Sequence, residues 1–336
     1  MRKKLLSFLA LLALTFSFAC TVTAGSGAAF TVHFIDVGQA DAALVLCDEK
    51  AMLIDGGNAE DSRLIYAYLK ESEISHLDYI VCTHAHEDHV GGLAGALNYA
   101  SVDHALCPVT DYDSKAFHSF VKYLSKQNVS ITVPTAGDNF SLGSATVNVL
   151  GPISQSDEPN NTSIVLRIVY GDTSFLFAGD AERDEEQDIL DAGYELTSTV
   201  LKIGHHGSDT STTYPFLREI MPQYAVISVG ADNSYRHPSD NTLSRLRDAD
   251  VKVYRTDLQG TIICESDDKN ISFTTEKNSD ADTLASVGSN ITAQDTASAD
   301  TEGVEYILNT NTKKFHYPAC SSVDQMKDKK QGGLLW

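Results

Sequence analysis

Leu77-Asp78-Tyr79-Ile80-Val81-Cys82-Thr83-His84-Ala85-His86-Glu87-Asp88-His89-Val90-Gly91-Gly92 decides the reading of this chain. Leu77 to Cys82 has the length and the aromatic and β-branched content of a strand, and it runs directly into three histidines and an aspartate within six residues. A loop at a strand end can turn alternate side chains into one cavity. Imidazole suits zinc and manganese-like borderline metals, and a carboxylate adds an oxygen ligand. His84 and His86 are expected to share one ion, and Asp88 and His89 a second.

Outward from this stretch the pattern alternates. Strand-like runs are expected at Phe30–Asp36, Ala42–Cys47 and Lys50–Asp55 before it. After it come Ala145–Leu150, Ser163–Tyr170, Thr173–Phe177, Val200–Ile203, Ala225–Val229, Val251–Tyr254, Thr261–Cys264 and Ile271–Phe273. Helices are expected over Asp61–Glu71, Gly92–Tyr99, Ser114–Ser125, Glu182–Ala192, Thr213–Ile220 and Thr242–Ala249. Consecutive strands early, then strands alternating with helices, fit an α/β sandwich of two sheets with helices outside.

The ends read differently. Met1-Arg2-Lys3-Lys4 followed by an apolar Leu5–Ala19 has the layout of a bacterial secretory signal over residues 1–24. Ser17-Phe18-Ala19-Cys20 is an imperfect lipobox that would make Cys20 a lipid anchor; Val22-Thr23-Ala24 would instead serve ordinary export. The protein is therefore expected to be secreted or anchored at the cell surface. The hydrolase domain is assigned to 30–277. Residues 278–305, with six acidic residues and no Lys or Arg, read as a flexible acidic linker before a C-terminal segment, 306–336. Beyond Cys20 the cysteines are Cys47, Cys82, Cys107, Cys264 and Cys320. That odd count does not look like a disulfide framework. The formal net charge of -21 favours solubility and disfavours a broad basic nucleic-acid surface. A bound metal pair would invert that charge locally.

Thr-His-x-His-x-Asp-His after a strand resembles the signature of the metallo-β-lactamase superfamily, whose fold is a four-layer αββα sandwich. The resemblance narrows to the extracellular hydrolase domain of the ComEC competence proteins. It is carried by His33-Phe34-Ile35-Asp36-Val37-Gly38-Gln39-Ala40-Asp41, Asn160-Asn161-Thr162-Ser163, Phe177-Ala178-Gly179-Asp180, Lys202-Ile203-Gly204-His205-His206-Gly207-Ser208 and Arg236-His237-Pro238-Ser239. These blocks occur in the family's order. Nothing beyond the signal has the length of a spanning helix, so a stand-alone soluble relative is expected.

The resemblance implies that Asp180 bridges two metals, with helix N-capping near Glu182 as the competing role. It implies His205 as the late ligand, with His206 either exchanging with it or donating a proton. His237 resembles a substrate-phosphate or proton-transfer residue. Asn161, Ser208 and Ser211 are expected to bind substrate, and Asp36, Gln39 and Asp41 to orient the ligands from behind. Two departures stand out. Ala40 replaces the usual Gly, and Asn160-Asn161 lies where many superfamily members carry another metal-binding His. One metal is thereby left short of a nitrogen ligand. Tyr306 to Cys320 resembles the start of an Ada-like metal-binding module, of which only His316 and Cys320 are candidate ligands.

One or two divalent ions, Zn2+ or Mn2+, would lower the pKa of a bound water from 15.7 towards about 7 and supply hydroxide. Asp88 would orient it, and His206 or His237 would protonate the leaving oxygen. The favoured reading is a secreted phosphodiesterase acting on DNA. Other readings are a metallohydrolase of cell-wall or choline phosphodiesters or of a lactone, and a non-catalytic surface lipoprotein that binds metal or DNA. No protein partner is legible.

Overall fold

The computed structural model describes residues 30–286 and, further on, the backbone of three short strands. The chain divides into two units, Met1–Gly288 and Ser289–Trp336. Residues 1–29, with Cys20 and the expected signal, lie outside the described residues, as does Cys320.

The first unit is built on two sheets. Strands β1 (Phe30–Phe34), β2 (Ala43–Cys47), β3 (Lys50–Ile54), β4 (His76–Val81), β5 (Ser101–Leu106) and β6 (Ile131–Thr132) lie side by side in chain order. The second sheet runs from β7 (Asn139–Leu142) through β8 (Ala145–Gly151), β9 (Val165–Tyr170), β10 (Thr173–Phe177), β11 (Val200–Lys202) and β12 (Tyr224–Ile227) to β13 (Lys252–Arg255). Strands β14 (Ile262–Ser266) and β15 (Ile271–Thr275) return to the first sheet beside β1. Alternation on β1 turns Phe30, Val32 and Phe34 inward, and Phe175 and Phe177 of β10 meet them from the facing sheet, with Phe30 and Phe175 ring centroids 4.7 Å apart. This apolar slab is the middle of the sandwich.

Helices close both outer faces. On the first sheet these are α1 (Ser62–Glu71), the short α2 (Glu87–Val90), α3 (Leu93–Tyr99) and α4 (Lys115–Lys126). The Ser114 hydroxyl caps α4 by accepting from Phe117 N, and Ala116, Phe117, Phe120 and Leu124 form its buried face. On the second sheet lie α5 (Arg183–Ala192), α6 (Tyr214–Ile220) and α7 (Asp240–Asp248), over Leu176, Leu201 and Ile227. The four-layer αββα sandwich anticipated from the sequence is the one found. A one-turn helix, α8 (Thr256–Gln259), follows β13. No helix among the described residues is long and apolar enough to cross a membrane.

Three strands, β5, β6 and β7, were not among those expected. The domain also runs past 277. Over 278–286 the supposed linker is tied down: Asn278 Nδ2 donates to Leu258 O, Thr283 Oγ1 to Val253 O, and Arg255 Nη1 to Ala285 O at 2.9 Å. Its polar side chains and carbonyls serve as partners for β13 and α8, which composition alone does not reveal. In the second unit, β16 (Glu305–Asn309) pairs with β17 (Lys314–His316) and β18 (Gln331–Leu335).

Candidate metal centre

The carboxyl ends of β3 and β4 in one sheet, and of β10, β11 and β12 in the other, emerge on the same side, because each set is parallel. Their loops carry Asp55, the His84–His89 stretch, Asp180, His205-His206 and Ser228. Two glycines let these loops close up. A Cβ at Gly92 would lie 1.8 Å from Gly56 O, and one at Gly95 2.0 Å from Ser62 O. Only hydrogen fits there, and that lets the helices behind the histidine cluster press against the Asp55 loop.

Four imidazoles converge on a single oxygen. Asp180 Oδ2 lies 3.3 Å from His89 Nε2, 3.7 Å from His205 Nε2, 3.8 Å from His206 Nε2 and 3.9 Å from His84 Nε2. His206 Nε2 is also 3.3 Å from Asp88 Oδ2. The candidate ligand atoms of Asp88, His89, Asp180 and His206 lie within 4.8 Å of one another. His86 joins through His84, with 3.0 Å between His86 Nδ1 and His84 Nε2.

The outer ring nitrogens are held from behind. His89 Nδ1 donates to Asp55 Oδ2 at 2.9 Å, and Asp55 is itself fixed by Thr83 N at 2.8 Å and Thr83 Oγ1 at 2.7 Å. His206 Nδ1 donates to Ser228 O at 3.0 Å and lies 3.4 Å from Asp41 Oδ1, while Lys202 Nζ holds the other Asp41 oxygen at 2.8 Å. With both Nδ1 atoms spent outward, both Nε2 atoms face inward, and in the neutral rings their lone pairs are available. His89 Nε2, His206 Nε2 and Asp180 Oδ1 are buried and have no hydrogen-bond partner. Buried polar atoms are normally satisfied. Two imidazole nitrogens and two carboxylates turned on one point are the donor set of a divalent cation. The residues present fit such an ion.

The electrostatics agree. Burial opposes charge on His206, but Asp180, Asp41 and Asp88 overcome it and push its pKa up to about 10. Burial likewise disfavours charged His89, and Asp180, Asp55 and Asp88 raise it well above the usual imidazole range. Burial would raise Asp88, yet His89 and His206 pull it down to about 2. The cluster holds more negative charge than its neutral histidines can balance, so it collects protons where a cation would serve. His84 goes the other way: burial, then the charge of His89, lowers it well below 6.5.

The remaining candidates separate into those near the centre and those behind it. His205 turns Nδ1 to Glu182 Oε1 at 3.3 Å. Both His205 and His206 adopt left-handed backbone, at φ 50 and 53, which is how adjacent side chains come to point at one carboxylate. Glu182, not Asp180, occupies the N-cap position of α5, without a side-chain capping hydrogen bond, and the Asp180 side chain is left to the cluster. His237 packs its ring 5.7 Å from that of His205. Burial and the charges of His205 and His206 lower it to about 4. Asp41 stands behind His206, whereas Asp36 and Gln39 touch none of the candidate ligands. Asp36 accepts from Gly38 N, and Gln39 Oε1 accepts from Gly230 N at 3.1 Å, holding the loop beyond β12. Asn161 Oδ1 accepts from Glu182 N at 3.0 Å. Ser208 Oγ is 3.0 Å from Thr210 Oγ1. Ser211 is fully buried and donates to Ala181 O at 2.8 Å, so its hydroxyl is committed to the loop and not turned to a substrate. Asp55, Lys202 and Glu182 were not singled out from sequence.

The chain belongs to the metallo-beta-lactamase superfamily, whose family model matches residues 35–231. Within it the similarity is to ComEC-like proteins. ComE operon protein 3 of Bacillus subtilis (strain 168) is 29% identical over 270 residues, covering 74% of this chain and 34% of the relative. Competence protein ComA of Neisseria gonorrhoeae is 30% identical over 232 residues, covering 68% of this chain and 31% of the relative. The chain thus spans about a third of the length of these curated relatives. Among solved structures, the metallo-beta-lactamase fold protein YhfI from Bacillus subtilis aligns with 73% of this chain and 100% of its own, at TM-score 0.47 and 12% identity. These comparisons lend the Ada-like tail no support.

Proposed function

We propose that this chain is an exported bacterial metal-dependent phosphodiesterase and that DNA is its substrate. The observation that carries this reading is the convergence of Asp88, His89, Asp180 and His206, in loops at the strand ends of a sandwich whose relatives are competence proteins. Zinc and manganese both suit the donor set.

Asp88, His89, Asp180 and His206 would hold one ion, with His84 and His205 next to the same Asp180 oxygen, and His86 beside His84, for another. A bound divalent ion supplies an acidic water and neutralises charge on a phosphate oxygen. The protein's own groups do the rest. Asp88, its side chain about a third exposed, is the most open of the four and stays ionised well below neutral pH, so it can accept a proton from a water that reaches it from solvent. His206 is enclosed by Asp41, Asp88, Asp180 and Ser228, which makes it a ligand and not a proton donor to a leaving group. His237 is neutral at pH 7, since its pKa has fallen to about 4. It can hydrogen-bond a phosphate oxygen without repelling the metal. The test is cleavage of single- and double-stranded DNA by the full chain with Mn2+ or Zn2+. Cutting that is abolished by EDTA and by Asp88→Ala is the expected result. No cutting by protein shown to retain its metal would remove DNA as the substrate.

A further inference from the structure

Tyr235 and Arg236 directly precede His237, and these two form a rim that the chemistry above does not use. Tyr235 is 70% exposed, the highest value among the large hydrophobic residues described. Its ring stacks on His237 at 5.7 Å between centroids and 26° between planes. His237 meets His205 edge-on, also at 5.7 Å, and His205 Nε2 lies 3.7 Å from Asp180 Oδ2. A ladder of rings therefore leads from the metal centre out to solvent. Its outermost face is bare.

The ladder is held in place. Asn233 Oδ1 accepts from His237 N at 2.9 Å, and Asn233 Nδ2 donates to His237 O at 2.6 Å and to Gly230 O at 2.9 Å. This one amide folds residues 230–237 into a turn that presents Tyr235 outward. Arg236, in left-handed backbone at φ 59, projects from the crest of the turn and is exposed. Among the described residues its guanidinium has no ion pair or hydrogen bond. A free cation thus follows an open aromatic ring in the turn, on a chain of net charge -21.

We infer that Tyr235 and Arg236 form a nucleotide-binding rim for single-stranded nucleic acid, with a base stacked on the Tyr235 ring and a neighbouring phosphate held by Arg236. This rests on the phosphodiester reading and adds to it the form of the polymer. An aromatic face selects unpaired bases, because those in a duplex are already stacked on one another. The overall negative charge opposes the long phosphate contact that duplex binding needs, whereas one local cation is enough to position a flexible strand.

The test separates base from phosphate. Binding of a short phosphorothioate-linked oligothymidylate, which resists cutting, is compared by fluorescence anisotropy with that of an abasic oligomer of equal length. The full chain is used with Mn2+ present. The wild type is expected to bind the thymidylate about tenfold more tightly, as one stacked base allows. Tyr235→Ala is expected to close that gap and Tyr235→Phe to keep it. Arg236→Ala is expected to weaken both oligomers alike and to flatten the salt dependence. Equal wild-type affinity for the two oligomers would overturn the inference, and so would a gap that survives Tyr235→Ala. The two readings fail apart. Base-dependent binding without cutting of native DNA removes the nuclease assignment and leaves the rim. Cutting with no base dependence does the opposite.

Discussion

Asp55→Asn isolates the group behind His89. In the native protein Asp55 Oδ2 accepts from both His89 Nδ1 and Thr83 Oγ1, and Oδ1 accepts from Thr83 N. An asparagine carbonyl in the Oδ1 place keeps the backbone bond, but its amide then faces His89 as a donor. Nδ1 must become the acceptor, and the ring proton moves to Nε2, the atom 3.3 Å from Asp180 that a metal needs free. Partners of this kind are worth about 10–100-fold in metal affinity, which is about 1.4–2.7 kcal/mol. The fold is not the casualty. Burial already raises the pKa of Asp55, with His89 opposing it, so a neutral amide removes a charge that is costly to enclose. The expected result is a Zn2+ or Mn2+ affinity lower by that factor, measured by competition with a chromophoric chelator, and a metal-free melting temperature close to wild type. Wild-type metal affinity in a folded Asp55→Asn protein would refute the tautomer argument.

Two other variants probe the surroundings. Lys202→Met leaves the Asp41 carboxylate buried without its 2.8 Å partner, and loss of one member of such a pair is expected to cost about 3–5 kcal/mol in thermal or denaturant unfolding. Glu185 sits at the start of α5, where burial raises its carboxyl to about 7 while Ile153 N donates to it at 2.9 Å. Because that value lies above the ordinary 4.5, the stability it contributes is complete below about pH 4.5 and is lost as the pH rises through 7. Glu185→Gln is therefore expected to gain about 1–3 kcal/mol on wild type at pH 8 and little at pH 5; parallel pH–stability curves for the two proteins would contradict this.

Much of the site was legible because its signals are local. His84, His86, Asp88 and His89 share one loop, so residue type and spacing were enough to single them out, whereas Asp180, His205 and His206 came from the family resemblance, which favoured His205 as the ligand and left His206 to exchange with it or donate a proton. The supporting groups act across the chain and were not legible. Asp55 serves a histidine 34 positions away and Lys202 an aspartate 161 away. Each left a trace that went unread: an aspartate closing an apolar strand before two glycines, and a lysine set between Leu201 and Ile203. Proximity in sequence misled for Ser211, whose hydroxyl is spent on Ala181 O. The same limit applies to strands. β5 carries Asp103 and His104 on its exposed positions and lacks a clean alternation, and only its parallel pairing with β4 makes it a strand. His205 and His206 looked interchangeable in the sequence. The left-handed turn between them sets one beside Glu182 and the other beside Asp41 and Asp88.

The cluster is divided between the two sheets, with Asp55 and the histidine loop on one, and Asp180 and His206 on the other. The group of Asp88, His89, Asp180 and His206 takes two members from each sheet, so an ion held by all four would report how the two sheets are aligned at their rim. A shift of a fraction of an ångström between them would leave the apolar slab nearly indifferent and yet spoil the coordination. Warming is then expected to silence the protein while its secondary structure still looks whole, and tightly held metal would act as a rivet that delays this loosening.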